Sequence, residues 1–141
     1  MKYIFRGKRK DNGEWVEGKG IDVNYSDAYI FVENHDLTTG CCDINDFEVM
    51  PETVGMYTNI DLHGVKVFEG DIVRLFRKNF DDDAPYTAYY QVIFDKRFRY
   101  WTLATAAGTI SCYNLAIFEN DLDCEVVGNV WDNPELLKAN N

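Results

Sequence analysis

Two stretches of the chain carry side chains that could bind a metal ion or act as nucleophile and base. Imidazole and carboxylate groups suit zinc or iron, thiolates suit zinc, and a cysteine beside a histidine can act as a nucleophile with its base. The residues are His35, Asp36, Cys41 and Cys42 in the first stretch and Asp61 and His63 in the second. Their spacings match no known ligand pattern, so we predict no catalytic residues, no metal and no cofactor. A small metal-dependent hydrolase that uses His35 or His63 is an alternative.

A second group of residues combines aromatic rings with arginines. Aromatic side chains beside arginine can stack on bases or hold a peptide. We therefore predict a binding surface formed by Tyr89, Arg97, Arg99 and Trp101. Because side chains alternate between the two faces of a strand, half of the rings in this region must face the core, so packing and an interface explain most of them.

The charge balance bears on the class of partner. The chain has 24 acidic and 14 basic residues, a net charge of -10. Such a balance makes direct nucleic-acid binding unfavourable, because that binding needs clustered lysine and arginine. The basic residues at the N-terminus, predicted to form a solvated edge and hairpin, are Lys2, Arg6, Lys8, Arg9 and Lys10. The acidic runs are Glu119, Asp121, Asp123 and Glu125, and Asp81 to Asp83. They keep the protein soluble or, alternatively, imitate the phosphates of DNA in an inhibitor of a nucleic-acid-binding protein.

Length and composition set the class of protein. A chain of 141 residues forms one domain or two small, closely packed subdomains. Aromatic residues make up 15% of it, which favours β-structure. The N-terminus lacks the apolar core of a signal peptide, and no apolar run approaches the ~20 residues of a membrane helix. We expect no membrane association and a cytoplasmic protein with reduced thiols.

Turn residues divide the first part of the chain into strands. Asn12-Gly13 predicts a hairpin, because both residues tolerate φ > 0, between an apolar-rich start over 2–6 and a returning strand over 14–18. Residues 27–33 alternate, which predicts a central strand with Ala28 and Ile30 on one face. We expect 34–45 to be a loop, Pro51 to start a segment or lie at an edge, and 59–64 to be a turn-rich connector.

The second part of the chain also consists of short strands with frequent turns. We predict strands over 65–68 and 72–78, a hairpin over 89–95 and 98–104 with Lys96-Arg97 at its tip, and a strand over 125–131. Between them, 113–118 is a short helix or a strand by its pattern. We favour irregular or short helical structure, in which Ser111 or Asn114 could cap a helical turn. Asn133 and Pro134 predict a final helical turn.

Two segments resemble the YopX family of phage and prophage proteins. They are YTNIDLHGVKVFEGDIVRL, residues 57–75, and EVVGNVWDNPELL, residues 125–137. The family typically carries a Tyr-Thr-Gly turn, an element ending in Glu-Gly-Asp-Ile-Val, and a closing segment with Gly-Asn and Asn-Pro-Glu-Leu-Leu. Here Asn59 stands where the family usually has glycine, and asparagine also tolerates φ > 0. Gly70 is expected to open a turn that Asp71 caps.

The resemblance implies a phage or prophage origin and a β-rich fold whose C-terminal half looks like an SH3-type barrel. It carries no catalytic residues over to this chain. We expect a mainly β protein in which an N-terminal β-meander, residues 1–56, packs on an SH3-like small barrel, residues 57–141, with a short C-terminal helical turn. The leading hypothesis is a non-enzymatic phage accessory protein that binds a protein partner and forms a homo-oligomer.

Overall fold

Short apolar and β-branched runs, separated by glycine and asparagine turns, make this chain mainly β, as predicted. The computed structural model describes residues 1–35, 38–40, 42–77 and 85–139. The chain divides into two compact units, Met1–Tyr57 and Thr58–Asn141. No helix among the described residues is both long and apolar enough to cross a membrane.

The first unit consists of short antiparallel strands. In chain order they are β1 (Phe5–Lys8), β2 (Trp15–Gly18), β3 (Gly20–Val23), β4 (Ala28–His35), β5 (Cys42–Val49), a 3₁₀ turn η1 (Pro51–Thr53) and the start of β6 (Gly55–Leu62). β1 pairs with β2 and with the first residues of β6. β4 lies between β3 and β5. The predicted central strand is therefore confirmed.

The core of the first unit is centred on buried side chains of β4 and β5. Ala28 and Ile30 are fully buried together with Val49 from β5. Apolar side chains packed against them are Phe5, Val16, Ile21, Val32 and Val54. The alternation along 27–33 thus selects the buried face correctly, since successive strand residues point to opposite faces.

The predicted loop over 34–45 is wrong, because both β4 and β5 extend into it. His35 pairs with Cys42, and Asn34 pairs with Asp43. Backbone N–H and C=O groups form the hydrogen bonds between strands. A strand can therefore continue through polar residues where both of its faces are exposed. At its other end β5 stops before Pro51, which begins η1 and so starts a segment as predicted.

The first hairpin is confirmed, and the two residues of its Asn-Gly pair have different parts in the turn. Lys8 pairs with Trp15, and the N–H of Arg9 donates to the carbonyl of Glu14 at 2.8 Å. Gly13 alone takes a positive φ in this turn, at 73°. Asn12 instead accepts a hydrogen bond from the N–H of Glu14 through Oδ1, at 2.9 Å.

The second unit is built on a five-stranded antiparallel sheet. Its elements after β6 are β7 (Val65–Phe68), β8 (Asp71–Arg77), β9 (Tyr86–Asp95), β10 (Tyr100–Ala104), β11 (Ile110–Asn114), the 3₁₀ turn η2 (Leu115–Phe118), β12 (Cys124–Asn129) and the 3₁₀ turn η3 (Pro134–Ala139). The order in the sheet is β11-β10-β9-β8-β12. The predicted strands and the final helical turn are confirmed.

In this unit one local prediction is wrong, and one pair of alternatives is decided. The segment 59–64 is mostly strand: β6 runs to Leu62, and only His63 and Gly64 form the turn to β7, with φ of 54° and 77°. Asn59 sits within the strand at φ 62°, the conformation expected of it. The segment 113–118 combines the end of β11 with η2, whose N-cap is Asn114, as one alternative predicted.

One face of the sheet carries the core of the second unit. The buried residues are Ile60, Leu62, Val67, Val73, Leu75, Val92, Leu103, Leu115, Phe118 and Cys124. Burial of each large apolar side chain contributes about 1.5–3 kcal/mol relative to leaving it exposed. The core therefore draws on β6 to β10, on η2 and on β12.

The turn between β7 and β8 joins this core to the closing segment of the chain. Gly70 has φ 87°, and its N–H donates to the carbonyl of Val92 at 2.9 Å. The N–H of Val130 in turn donates to the carbonyl of Gly70 at 2.9 Å. Asp71, which is 2% exposed, accepts from the N–H of Phe68 at 2.8 Å. The predicted cap on this turn is confirmed.

Candidate functional site

A groove of about 450 Å³ lies on the outer face of the sheet in the second unit. Its lining comes from β8, β9 and the entry to β12. The residues are Arg74, Phe76, Thr87, Tyr89, Leu122, Asp123 and Glu125. We define these seven residues as the outer groove.

Strand register arranges the outer groove in two rows. In the first row, Arg74 pairs with Tyr89 on one side and with Glu125 on the other. In the second row, Phe76 pairs with Thr87 and donates its N–H to the carbonyl of Asp123 at 2.9 Å. Side chains that are directly opposite in an antiparallel sheet stand within reach of one another, so each row forms a continuous strip.

Alternation along the strands separates the outer groove from the core. Leu75 and Cys124, which lie between the groove residues in sequence, are buried on the opposite face. Beyond Arg74 the outer face is covered: Ile72 is fully buried, and η3 contacts β9. The outer groove is therefore the part of this face that η3 leaves open.

The outer groove contains more negative than positive charge. The guanidinium of Arg74 forms an ion pair with Glu125, and the two side chains are 46% and 44% exposed. Asp123 is exposed, and its carboxylate has no ion-pair partner within the part of the chain that the structure describes. Two carboxylates thus face one guanidinium, which leaves an excess negative charge. Leu122, 85% exposed, adds an apolar side chain at the rim.

The four residues of the predicted binding surface do not come together. Tyr89 lines the outer groove, whereas Arg97 and Arg99 lie in the turn between β9 and β10. From Tyr89 to Asp95 at the end of β9, the strand rises roughly 20 Å at about 3.3 Å per residue. Tyr89 therefore belongs to a different surface from the two arginines.

Local packing explains the residues at the tip of this hairpin. Asp95, 4% exposed, accepts a hydrogen bond from the N–H of Arg97 at 2.9 Å, and its carbonyl accepts from the N–H of Arg99 at 2.7 Å. The guanidinium of Arg97 lies 5.1 Å from the ring of Phe98. Trp101 packs against the core and contacts Phe94 edge to face, at a centroid distance of 5.2 Å. Binding by Arg97, Arg99 and Trp101 stays a prediction.

The histidines considered as metal ligands have other contacts. His35 lies 3.3 Å from a carboxylate oxygen of Glu33, and the Nε2 of His63 lies 3.1 Å from the carbonyl of Asp121. Among the residues described, no group of three or more histidine, cysteine or acidic side chains could hold a metal ion. Asp36 and Cys41 lie outside the described residues, as do Asp81 to Asp83.

The basic N-terminal residues are partly neutralised within the first unit. Arg9 pairs with Asp11 at 2.6 Å, and Lys10 pairs with Glu48 at 3.1 Å. The hydrogen bond to Arg9 lowers the pKa of Asp11, and the hydrogen bond to Glu48 raises the pKa of Lys10. These contacts agree with the prediction of a solvated edge rather than a phosphate-binding patch.

The first unit also has a shallower cleft of about 240 Å³. It is lined by Ile4, Glu17, Gly18, Lys19, Val32, Glu33 and His35. The larger outer groove of the second unit is the stronger candidate site.

The sequence predicts binding by Tyr89 and places Asp123 and Glu125 only in an acidic run. It does not indicate that Arg74, Phe76, Thr87 and Leu122 line a groove with them. A signal was present, because Arg74 and Phe76 flank buried Leu75 with a period of two. What the sequence lacked was the register that places this strip beside Tyr89 and Glu125.

Comparison with known proteins agrees with the two sequence motifs. The family described as "YopX protein" matches residues 4–138, nearly the whole chain. No match was found among curated proteins or among solved structures. The contact between the Gly70 turn and the closing segment joins the two motif regions in space. With a match of this extent, the chain belongs to the YopX family.

Proposed function

We propose that this chain is a non-enzymatic accessory protein, encoded by a phage or prophage, that acts in the cytoplasm by binding another protein. The outer groove is the observation that carries the proposal. It is open, lies on a five-stranded sheet, and combines aromatic rings, an apolar rim and uncompensated charge. Concave sites with a few polar groups on apolar walls are typical of ligand recognition.

The scaffold that we propose for this role is an SH3-like barrel in the second unit. Strands β8 to β11 follow one another as an antiparallel meander. After the 3₁₀ turn η2, β12 returns to pair with β8. This connectivity supports the proposal, since small barrels of this kind bring their last strand back to the first.

A crosslinking experiment that compares an open outer groove with one blocked by a bulky side chain tests the proposed function. Thr87→Trp places an indole on the exposed floor of the outer groove, while Thr109→Trp adds the same ring to an exposed loop elsewhere. Each protein would carry a photo-crosslinker at Leu122 and be exposed to lysate of phage-infected cells. We expect a discrete crosslinked partner with the parent protein and with Thr109→Trp, and its loss with Thr87→Trp.

If no partner depends on an open groove, the proposed binding site is wrong. The folded state of each variant would be checked by its circular dichroism and its urea midpoint, so that loss of the partner is not confused with unfolding.

Self-association is the second part of the proposal. Exposed large apolar side chains in the second unit support it, among them Ile110, Tyr113 and Ile117, which do not line the outer groove. Apolar side chains that cluster at a surface are typical of interfaces. Light scattering after size exclusion gives the mass directly. A monomer of 16.3 kDa at micromolar concentration would remove the homo-oligomer from the proposal.

A further inference from the structure

The outer groove has chemistry that favours one class of partner. Resting on the function proposed above, we infer that the outer groove recognises a lysine or arginine side chain, next to an apolar residue, in an extended segment of the partner protein. The cation would lie between Asp123 and Glu125, and the apolar neighbour would pack on Leu122 and Phe76.

The first step of the argument is electrostatic. Asp123 directly precedes β12 and Glu125 is its second residue, and both line the outer groove. Two residues of extended chain span about 7 Å, so the two carboxylates stand close enough to share a cation. Glu125 already holds the guanidinium of Arg74, which shows that a cation fits beside it. Asp123 has no corresponding cation among the described residues. A cation from the partner protein would therefore give Asp123 an ion pair like the one that Glu125 already has.

The second step concerns the walls of the groove. Tyr89 and Phe76 present rings in adjacent strands, and Leu122 is largely exposed at the rim. An aromatic face attracts a lysine or arginine head group, and the aliphatic stem of such a residue packs on apolar surface. A neutral polar segment would gain neither contact.

The third step concerns the field of the whole chain. A net charge of -10 attracts basic partners over a distance and repels acidic ones. The Arg74–Glu125 pair is nearly half exposed, so it costs little to rearrange when an incoming cation shares Glu125. Arg74 then acts as an internal competitor that tunes affinity.

Selection from a peptide library tests the inference. The full chain is immobilised, and random peptides of roughly seven residues, about 23 Å long when extended, are selected on it. Only peptides that fail to bind Thr87→Trp are kept. We expect these peptides to share a lysine or arginine beside an apolar residue.

Matched ligands and variants then isolate the cation. Replacing the selected arginine by citrulline, which keeps the shape and removes the charge, should weaken binding about tenfold, and so should Asp123→Asn with Glu125→Gln. Glu119→Gln, an exposed change outside the groove, should have no effect. Arg74→Gln should strengthen binding about threefold, because it removes the internal competitor.

The outcomes separate this inference from the proposed function. Groove-dependent peptides that lack a shared cation, or that tolerate citrulline, would overturn the inference while leaving the outer groove as a binding site. The absence of any groove-dependent peptide would also overturn it, and the crosslinking experiment would then decide the proposed function independently. A dimer of the parent protein that Thr87→Trp dissociates would place a second copy in the groove and contradict the inference.

Discussion

The indole ring of Trp131 lies directly against Gly70. A Cβ built on Gly70 would stand 2.3 Å from Cη2 of Trp131 and 2.4 Å from its Cζ3. A Cβ at such distances requires the ring of Trp131 to move, so this contact favours glycine here in addition to its φ of 87°. The β7–β8 turn and the closing segment thus depend on each other.

Gly70→Ala should destabilise the protein by about 3 kcal/mol, from left-handed strain and from the clash with Trp131. Gly64→Ala is the matched control, because Gly64 has φ 77° but nothing within 4 Å of its Cβ position. We expect that change to cost about 1 kcal/mol, from strain alone. Urea unfolding measures both free energies. Equal costs would mean that the Trp131 contact does not matter.

Asp71→Ala should cost about 2 kcal/mol, because it leaves the buried N–H of Phe68 without the acceptor that it has at 2.8 Å. Asp71→Asn keeps an oxygen of the same shape and should cost less than half as much. The comparison by urea unfolding separates the hydrogen bond from simple truncation. Identical losses would show that the acceptor contributes nothing.

Asp11 should titrate below its ordinary value of 3.8, because its carboxylate accepts a hydrogen bond from Arg9. A lowered pKa in the folded state means that the interaction favours folding above the ordinary value and is lost as the pH falls through the folded one. Carboxyl-carbon NMR should show Arg9→Gln raising the midpoint of Asp11. Lys10→Gln, whose partner is Glu48, should leave that midpoint unchanged. A titration midpoint of Asp11 that is the same in the parent protein and in Arg9→Gln would contradict the pairing.

Cys124 should react with thiol reagents only when β12 opens, since its side chain is fully buried in the core of the second unit. In a variant with serine at the other three cysteines, labelling should be about 100-fold slower than in denaturant. Gly70→Ala should accelerate it more than Gly64→Ala does. Labelling of the native protein at the denatured rate would show that β12 does not stay packed.

Local chemistry in the sequence determined several elements of this fold. The period of two along 27–33 identified the buried face of β4, and glycine at position 70 with aspartate beside it identified the β7–β8 turn. Pro51 and the Asn133-Pro134 pair identified where irregular structure begins. These signals suffice because they depend on a few neighbouring residues.

Strand continuation through polar residues escaped sequence reasoning. β4 and β5 pair across 34–45 as far as His35 and Cys42, and β6 runs through Asn59 to Leu62. Backbone hydrogen bonds hold these extensions, and such bonds leave no pattern in the side chains. The polar and turn-forming residues of 34–45 and 59–64 therefore predicted loop where the structure has strand.

The candidate site was decided by tertiary structure alone. The sequence predicts binding by Tyr89, but its neighbours Arg74 and Glu125 lie 15 and 36 positions away in sequence and join it only through the register of β9, β8 and β12. The same register separates Tyr89 from Arg97 and Arg99 along one strand. The sequence determined which residues alternate between the two faces of each strand. Burial of the core face sets the pairing of the strands, and this pairing decided which residues share a surface.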